Sequence, residues 1–135
     1  ALPIWAIIKR LRGIVIENRD ACKCMAHHDS TATLHYVDPP YVPETRSGLM
    51  HTPQVYSHEM TNEDHRAMAE CLHGLRGMVV LSGYRSSLYD ELFDGWRTLD
   101  RAAHADGAKD RTETLWFNAA AWSALHHHDS LMRTA

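Results

Sequence analysis

Asp38-Pro39-Pro40-Tyr41 follow directly on the apolar run Leu34-His35-Tyr36-Val37. In this order, these residue types can hold an amino group on a planar base. The Asp38 carboxylate accepts hydrogen bonds. Each proline fixes its own φ and has no backbone N–H, so its carbonyl is left purely as an acceptor. Each proline also drives the preceding residue into an extended conformation, which keeps the acceptors rigid. Tyr41 adds one flat aromatic face. Asp-Pro-Pro alone also suits a plain turn after a strand. The aromatic residue and the flanking segments favour a binding site.

Such a site needs a sheet to carry it. Ile14-Val15-Ile16-Glu17 is a β-branched run after Gly13 and reads as a strand, with Asn18, Arg19 and Asp20 at its C-terminal end. A helical stretch follows from about Ala21 to His28. A loop at Asp29-Ser30-Thr31 then leads to the strand Leu34–Val37. Residues 42 to 60 show no period and hold two of the five prolines, so they read as a long loop. Loops of that length are usually functional or mobile. It is either a linker or a lid over a bound base.

Beyond it, Thr61 is placed to N-cap a helix, with Asp64 in the reciprocal position. Met68, Cys71, Leu72 and Leu75 lie on one face at helical spacing, and Gly74 or Gly77 ends the helix. Met78-Val79-Val80-Leu81 fits a strand buried on both faces, running into Ser82-Gly83-Tyr84-Arg85. Ser87 with Asp90 predicts a second capping box, ahead of a stripe of Leu88, Leu92 and Phe93 that stops at Gly95. Trp96–His104 and Arg111–Asn118 read as two strands about a turn at Asp106-Gly107.

This alternation predicts an α/β domain, with a mainly parallel sheet and a C-terminal antiparallel hairpin. In such sheets ligands sit beyond the carboxyl ends of the strands. Asn18–Asp20, Asp38–Tyr41 and Ser82–Arg85 all fall at those ends.

The bulk numbers agree with one domain. The chain has 135 residues, 44% hydrophobic and 23% charged, enough for a real core. No apolar run is long enough to span a bilayer. The start, Ala1–Ile8, lacks the basic region and cleavage site of a signal peptide. It reads as a helix entered partway, in a chain that is a piece of something longer. A net charge of −3 argues against a strongly basic nucleic-acid binder. Basic residues nonetheless cluster at Lys9, Arg10, Arg12 and Arg19, and again at Arg97, Arg101, Lys109 and Arg111. The cysteines Cys22, Cys24 and Cys71 make an odd number without disulfide spacing, which suits a reducing cytoplasm.

The chain resembles the Dam-like, phage-associated DNA N6-adenine methyltransferases. Four stretches carry the resemblance, in family order up to Asn118: Arg12–Ala21, Tyr36–Tyr41, Val80–Tyr84 and Thr112–Asn118. It implies a partial Rossmann-like, S-adenosylmethionine-dependent methyltransferase fold, with residues 1–118 as the C-terminal part of the catalytic domain. Residues 119–135 form a tail with no assigned structure. It also implies Asp38, Pro39, Pro40 and Tyr41 as catalytic residues, with Asn18, Asp20 and Asp38 on the cofactor. Asp38 and the Pro39 carbonyl would accept from the amine, and Tyr41 would stack on an adenine flipped out of double-stranded DNA. The setting implied is a bacterial or phage-encoded restriction-modification system.

The family's glycine-rich cofactor loop is absent from this sequence, as are the acidic residue ending the next strand and the target-reading segment. Asn118 is followed by Ala119-Ala120-Ala121 rather than by the family's proline. A second reading is therefore a non-catalytic remnant or subunit that binds DNA or complements a partner carrying the missing N-terminal half. A third keeps the chemistry and changes the substrate to cytosine amines, RNA bases or glutamine side chains. Half of such a sheet would expose an edge and an apolar face, so self-association is expected.

No metal is expected. The run His126-His127-His128, the pair Cys22 and Cys24, and the heptad-spaced His51, His58 and His65 lack paired zinc-ligand spacing. Cys71 is expected in the core, and Trp5, Trp96, Trp116 and Trp122 are expected to pack rather than stack on bases. Ser82 and Tyr84 either border the pocket or only cap their strand.

Overall fold

A computed structural model describes residues 4–42, 59–103 and 111–132. Most of the loop between Val42 and Met60 lies outside those residues, with His51 and His58. So do the turn at Asp106-Gly107 and Lys109. Helix α1 spans Ile4–Leu11 and α2 Ala21–His28; strand β1 is Leu34–Val37, α3 Asn62–Gly74 and β2 Met78–Tyr84. Helix α4 (Ser87–Leu92), strands β3 (Arg97–Ala103) and β4 (Arg111–Phe117), and helix α5 (Ala119–Met132) complete the order. No helix among the described residues is long and apolar enough to cross a membrane.

The four strands form one mixed sheet in the order β1-β2-β4-β3. Only β1 and β2 run parallel; β4 is antiparallel to both β2 and β3. The expected C-terminal hairpin is present. The expectation of a mainly parallel sheet is not met, because β4 returns between β2 and β3 and contributes two of the three pairings. Ile14–Glu17 is irregular rather than a strand. Ile14, Val15 and Ile16 are 56, 79 and 92% exposed, since a β-branched run pairs only where a neighbour offers its ladder.

Directly paired residues share a face of the sheet. Val79, Leu81 and Trp116 face α3 and α4, where they pack with Met68, Leu72, Leu88, Tyr89 and Phe93. Val80 and Phe117 face the other way, and Phe117 meets Trp122 of α5 edge-on at 5.7 Å between ring centroids. Each Leu or Val removed from water here contributes about 1.5–3 kcal/mol. β2 is buried fully on its α3 face and only half on the other, short of the burial expected on both faces. Of the tail left unassigned by the sequence, Ala119–Met132 form helix α5, packed on β2 and β4.

Capping follows the sequence closely, with one shift. Thr61 and Asp64 form the expected capping box. At α4 the cap is Ser86, not Ser87, with the Ser86 hydroxyl accepting from the Tyr89 N–H. Ser87 is already helical. The α3 helix stops at Gly74, but its cap is the extended Leu75 rather than a left-handed glycine.

His65 is wholly buried, and its Nδ1 is hydrogen-bonded to the Tyr89 hydroxyl at 3.0 Å. Cys71 is half-buried, its thiol 3.9 Å from the Cys22 carbonyl. Trp116 is core, Trp96 packs against the core cluster through Phe93, and Trp5 is 75% exposed, contrary to the packing expectation.

Candidate functional site

Asp38 leaves β1 where Val37 pairs with Leu81, which brings it beside Ser82 of β2. The Ser82 hydroxyl donates to Asp38 Oδ1 at 2.8 Å and lies 3.3 Å from the Val37 carbonyl. A hydroxyl has one proton, and the carboxylate is both the stronger and the nearer acceptor. Ser82 thus orients Asp38 across the one parallel pair of the sheet.

The other end of the motif is fixed by packing. Val42 is only 2% exposed and belongs to the core cluster, an anchor the sequence reading did not include. Between these points, Pro39, Pro40 and Tyr41 are half-buried. The Tyr41 and Tyr84 rings lie 4.4 Å apart between centroids, tilted by 41°. Burial, with Tyr84 alongside, pushes the Tyr41 phenol up to about 12, so it is neutral at physiological pH. Ser82 and Tyr84 therefore both support the motif; Arg85 turns away to Thr98 and Asp90.

A cleft of about 750 Å³ opens beside β1, lined by Asp20, Tyr36, Asp38, Pro39 and Pro40, with Asp64 of α3 also on its wall. That volume falls within the range of small-molecule sites. The structure thus gathers Asp20, Asp38, Pro39 and Pro40 onto one surface. Tyr41 and Asn18 are not part of this lining. Asp20 also has a structural duty, since its Oδ1 accepts from the Lys23 N–H at 2.9 Å and caps α2.

Asp29 ties the start of the sheet together. Its two oxygens accept from the Arg76 N–H at 2.8 Å, the Gly77 N–H at 3.0 Å and His35 Nε2 at 3.1 Å. The Arg76 amide first, then His35 and Gly77, hold its carboxyl below the usual carboxylate range. This ties the loop after α2 to the start of β2.

A second group of side chains adjoins the cleft. Glu17, Cys24 and His28 present ligand-type atoms that all lie within 4.8 Å of one another. His28 Nε2 is 2.5 Å from Glu17 Oε1, and Arg19 pairs with Oε2. The His28 hydrogen bond, aided by the charge of Arg19, holds the Glu17 carboxyl below its ordinary value. The signal was present in sequence: Cys24 and His28 stand one helical turn apart on α2. Glu17 could not be read in the same way, because it arrives from an irregular segment.

Compared with known proteins, the sequence matches no family model, and no curated protein is significantly similar to it.

Proposed function

We propose that this chain is the catalytic portion of an S-adenosylmethionine-dependent DNA N6-adenine methyltransferase of the phage-associated type. The observation that carries this reading is the hydrogen bond from Ser82 to Asp38 Oδ1 at 2.8 Å, which fixes a carboxylate at the start of Asp-Pro-Pro-Tyr. The α/β sheet with its C-terminal antiparallel hairpin supports a partial Rossmann-like fold.

An adenine amine is a poor nucleophile, because its lone pair is delocalised into the ring. The remaining acceptor capacity of Asp38 and the Pro39 carbonyl would take the two amine hydrogens, favouring a pyramidal nitrogen with its lone pair directed outward. This is catalysis by positioning and electrostatics. After transfer the nitrogen carries an extra proton, which Asp38 can accept. Tyr41 would stack on the flipped base, backed by Tyr84.

S-adenosylmethionine supplies the electrophilic methyl group when bound. The cleft has the size for a nucleoside, and Asp20 and Asp38 border it. Those two residues would hold the donor. Asn18, carried over from the resemblance, is not on the cleft lining.

Titration calorimetry with S-adenosylmethionine tests the reading, with Asp38→Ala as control. Binding that weakens in the variant, together with methyl transfer to adenine in duplex DNA, is expected. No transfer to adenine despite binding would overturn the assignment of substrate.

The 79 and 92% exposure of Val15 and Ile16 favours a second reading, in which a partner covers this segment and supplies the cofactor loop. In that case the isolated chain binds no donor at all.

A further inference from the structure

We infer that Glu17, Cys24 and His28 form a mononuclear site for a zinc-class divalent cation, on the flank of the cleft. The site is independent of the methyltransferase reading. Three donors of different chemistry converge there: a carboxylate, a thiol and an imidazole, all within 4.8 Å of one another. Thiolate with imidazole selects a borderline-soft ion such as Zn²⁺ over Mg²⁺ or Ca²⁺, which prefer all-oxygen sites.

The donors are held before any ion arrives. Cys24 and His28 project from one face of α2, one turn apart. That helix is fixed at its start by the Asp20 cap. At its end the Thr33 hydroxyl donates to the His28 carbonyl at 2.8 Å. Glu17 is set by the ion pair that Arg19 makes with its Oε2, which leaves Oε1 on the side of His28. Arg19 would then act as the outer partner that orients a ligating carboxylate.

The change needed runs both ways, since donor atoms up to 4.8 Å apart must close by about 1 Å to reach zinc spacing. Tetrahedral zinc, with bonds of about 2.0–2.3 Å, sets its donors roughly 3.3–3.7 Å apart. The contact between Glu17 and His28, at 2.5 Å, must open by somewhat less than about 1 Å. Exposed His28 can supply that by side-chain rotation. Three protein ligands leave a fourth position for water or substrate, the arrangement of open rather than purely structural zinc sites. Glu17 and Cys24 both border the cleft.

The test uses the full 135-residue chain, reduced and stripped of metal. His126, His127 and His128 are replaced by alanine so that the histidine run does not contribute. Cobalt is added as the spectroscopic probe, and zinc affinity is measured by competition with a chromogenic chelator. The expected result is one equivalent of Co²⁺ with a thiolate-to-cobalt charge-transfer band and intense tetrahedral visible bands. Cys24→Ser should abolish the charge-transfer band, with an unchanged far-ultraviolet dichroism spectrum. Cys22→Ser should keep it. Glu17→Gln should retain the band and weaken zinc at least about tenfold, the lower bound for losing even an outer partner. No metal retained, or a charge-transfer band that survives Cys24→Ser, would overturn the inference and leave Glu17 and His28 as an ordinary ion pair.

Discussion

The Ser82 hydroxyl reaches Asp38 Oδ1 at 2.8 Å, joining the second residue pair beyond Tyr36 and Val80 across the parallel strands β1 and β2. The acceptor group of the motif is thus set by its neighbouring strand. Replacing Ser82 with alanine should leave melting unchanged within about 1 kcal/mol, the usual value of one hydrogen bond. If the methyltransferase reading holds, turnover should fall roughly tenfold, equivalent to about 1.4 kcal/mol in the barrier. Single-turnover methyl transfer measures this, and Asp38→Ala should abolish it.

Gly77 sits where no side chain fits. A Cβ there would lie 2.7 Å from the Thr33 carbonyl oxygen, 2.8 Å from that of Ser30 and 3.0 Å from Asp29 Oδ1. Two of those atoms are backbone and cannot swing aside. Gly77→Ala should therefore destabilise by about 1–3 kcal/mol, as overpacking does. Urea denaturation would show it as a lower midpoint at constant slope.

Asn118 holds three elements together. Its Oδ1 accepts from the Val79 N–H at 3.0 Å and the Ala121 N–H at 2.9 Å, while Nδ2 donates to the Gly77 carbonyl at 2.9 Å. Asn118→Ala removes the cap of α5 and a strut on β2 at once. The loss should be about 2–3 kcal/mol, within the range for orphaned polar groups. Asn118→Asp should recover part of it, since the two amide N–H donors still meet an oxygen.

Among the groups that make stability depend on pH, Asp29 and Tyr41 act in opposite directions. Asp29 is depressed below its unfolded value, so its contribution is complete above pH about 4 and is lost as pH falls through the folded value. Asp29→Asn should flatten the acid limb of a melting profile. Tyr41 is raised to about 12, so its contribution is complete below pH about 10 and fades as pH rises toward 12. Tyr41→Phe should make that alkaline limb less steep, with Tyr89 and Cys22, also raised, keeping the remainder, and should leave the acid limb unaltered.

Ile4, Trp5, Ile14, Val15, Ile16, Leu34 and Tyr36 are all more than half exposed. Apolar surface of this extent drives association. Light scattering of the isolated chain should show a mass that rises with concentration. Ile14→Lys with Ile16→Lys should lower it, and a concentration-independent monomer would contradict the expectation.

Local signals were readable where chemistry acts over a few residues. The Thr61 and Asp64 capping box, the helix Ala21–His28 and the strand Leu34–Val37 each follow from neighbours in sequence. At α4 the sequence pointed to Ser87, one position late, and only the Tyr89 amide geometry identifies Ser86 as the cap. Strand partners are a non-local matter. Ile14–Glu17 carries strand propensity without a ladder to join, and nothing near β4 in sequence reveals that it enters between β2 and β3. Asp38–Tyr41 was legible as a site because its chemistry is contiguous. Ser82 and Tyr84 were candidates at the same rim, but their contacts with Asp38 and Tyr41, and the anchor at Val42, emerge only when the strands are placed side by side.

Placing β4 inside the sheet rather than at its rim has a consequence for biosynthesis. Trp116 belongs to the same buried cluster as Val79 and Leu81, yet it emerges from the ribosome long after them. The β1 and β2 pair must wait, one side of β2 unsatisfied, until the β3 and β4 hairpin forms and docks by its later strand. Early segments are thus exposed to chaperones or aggregation until near the end of translation.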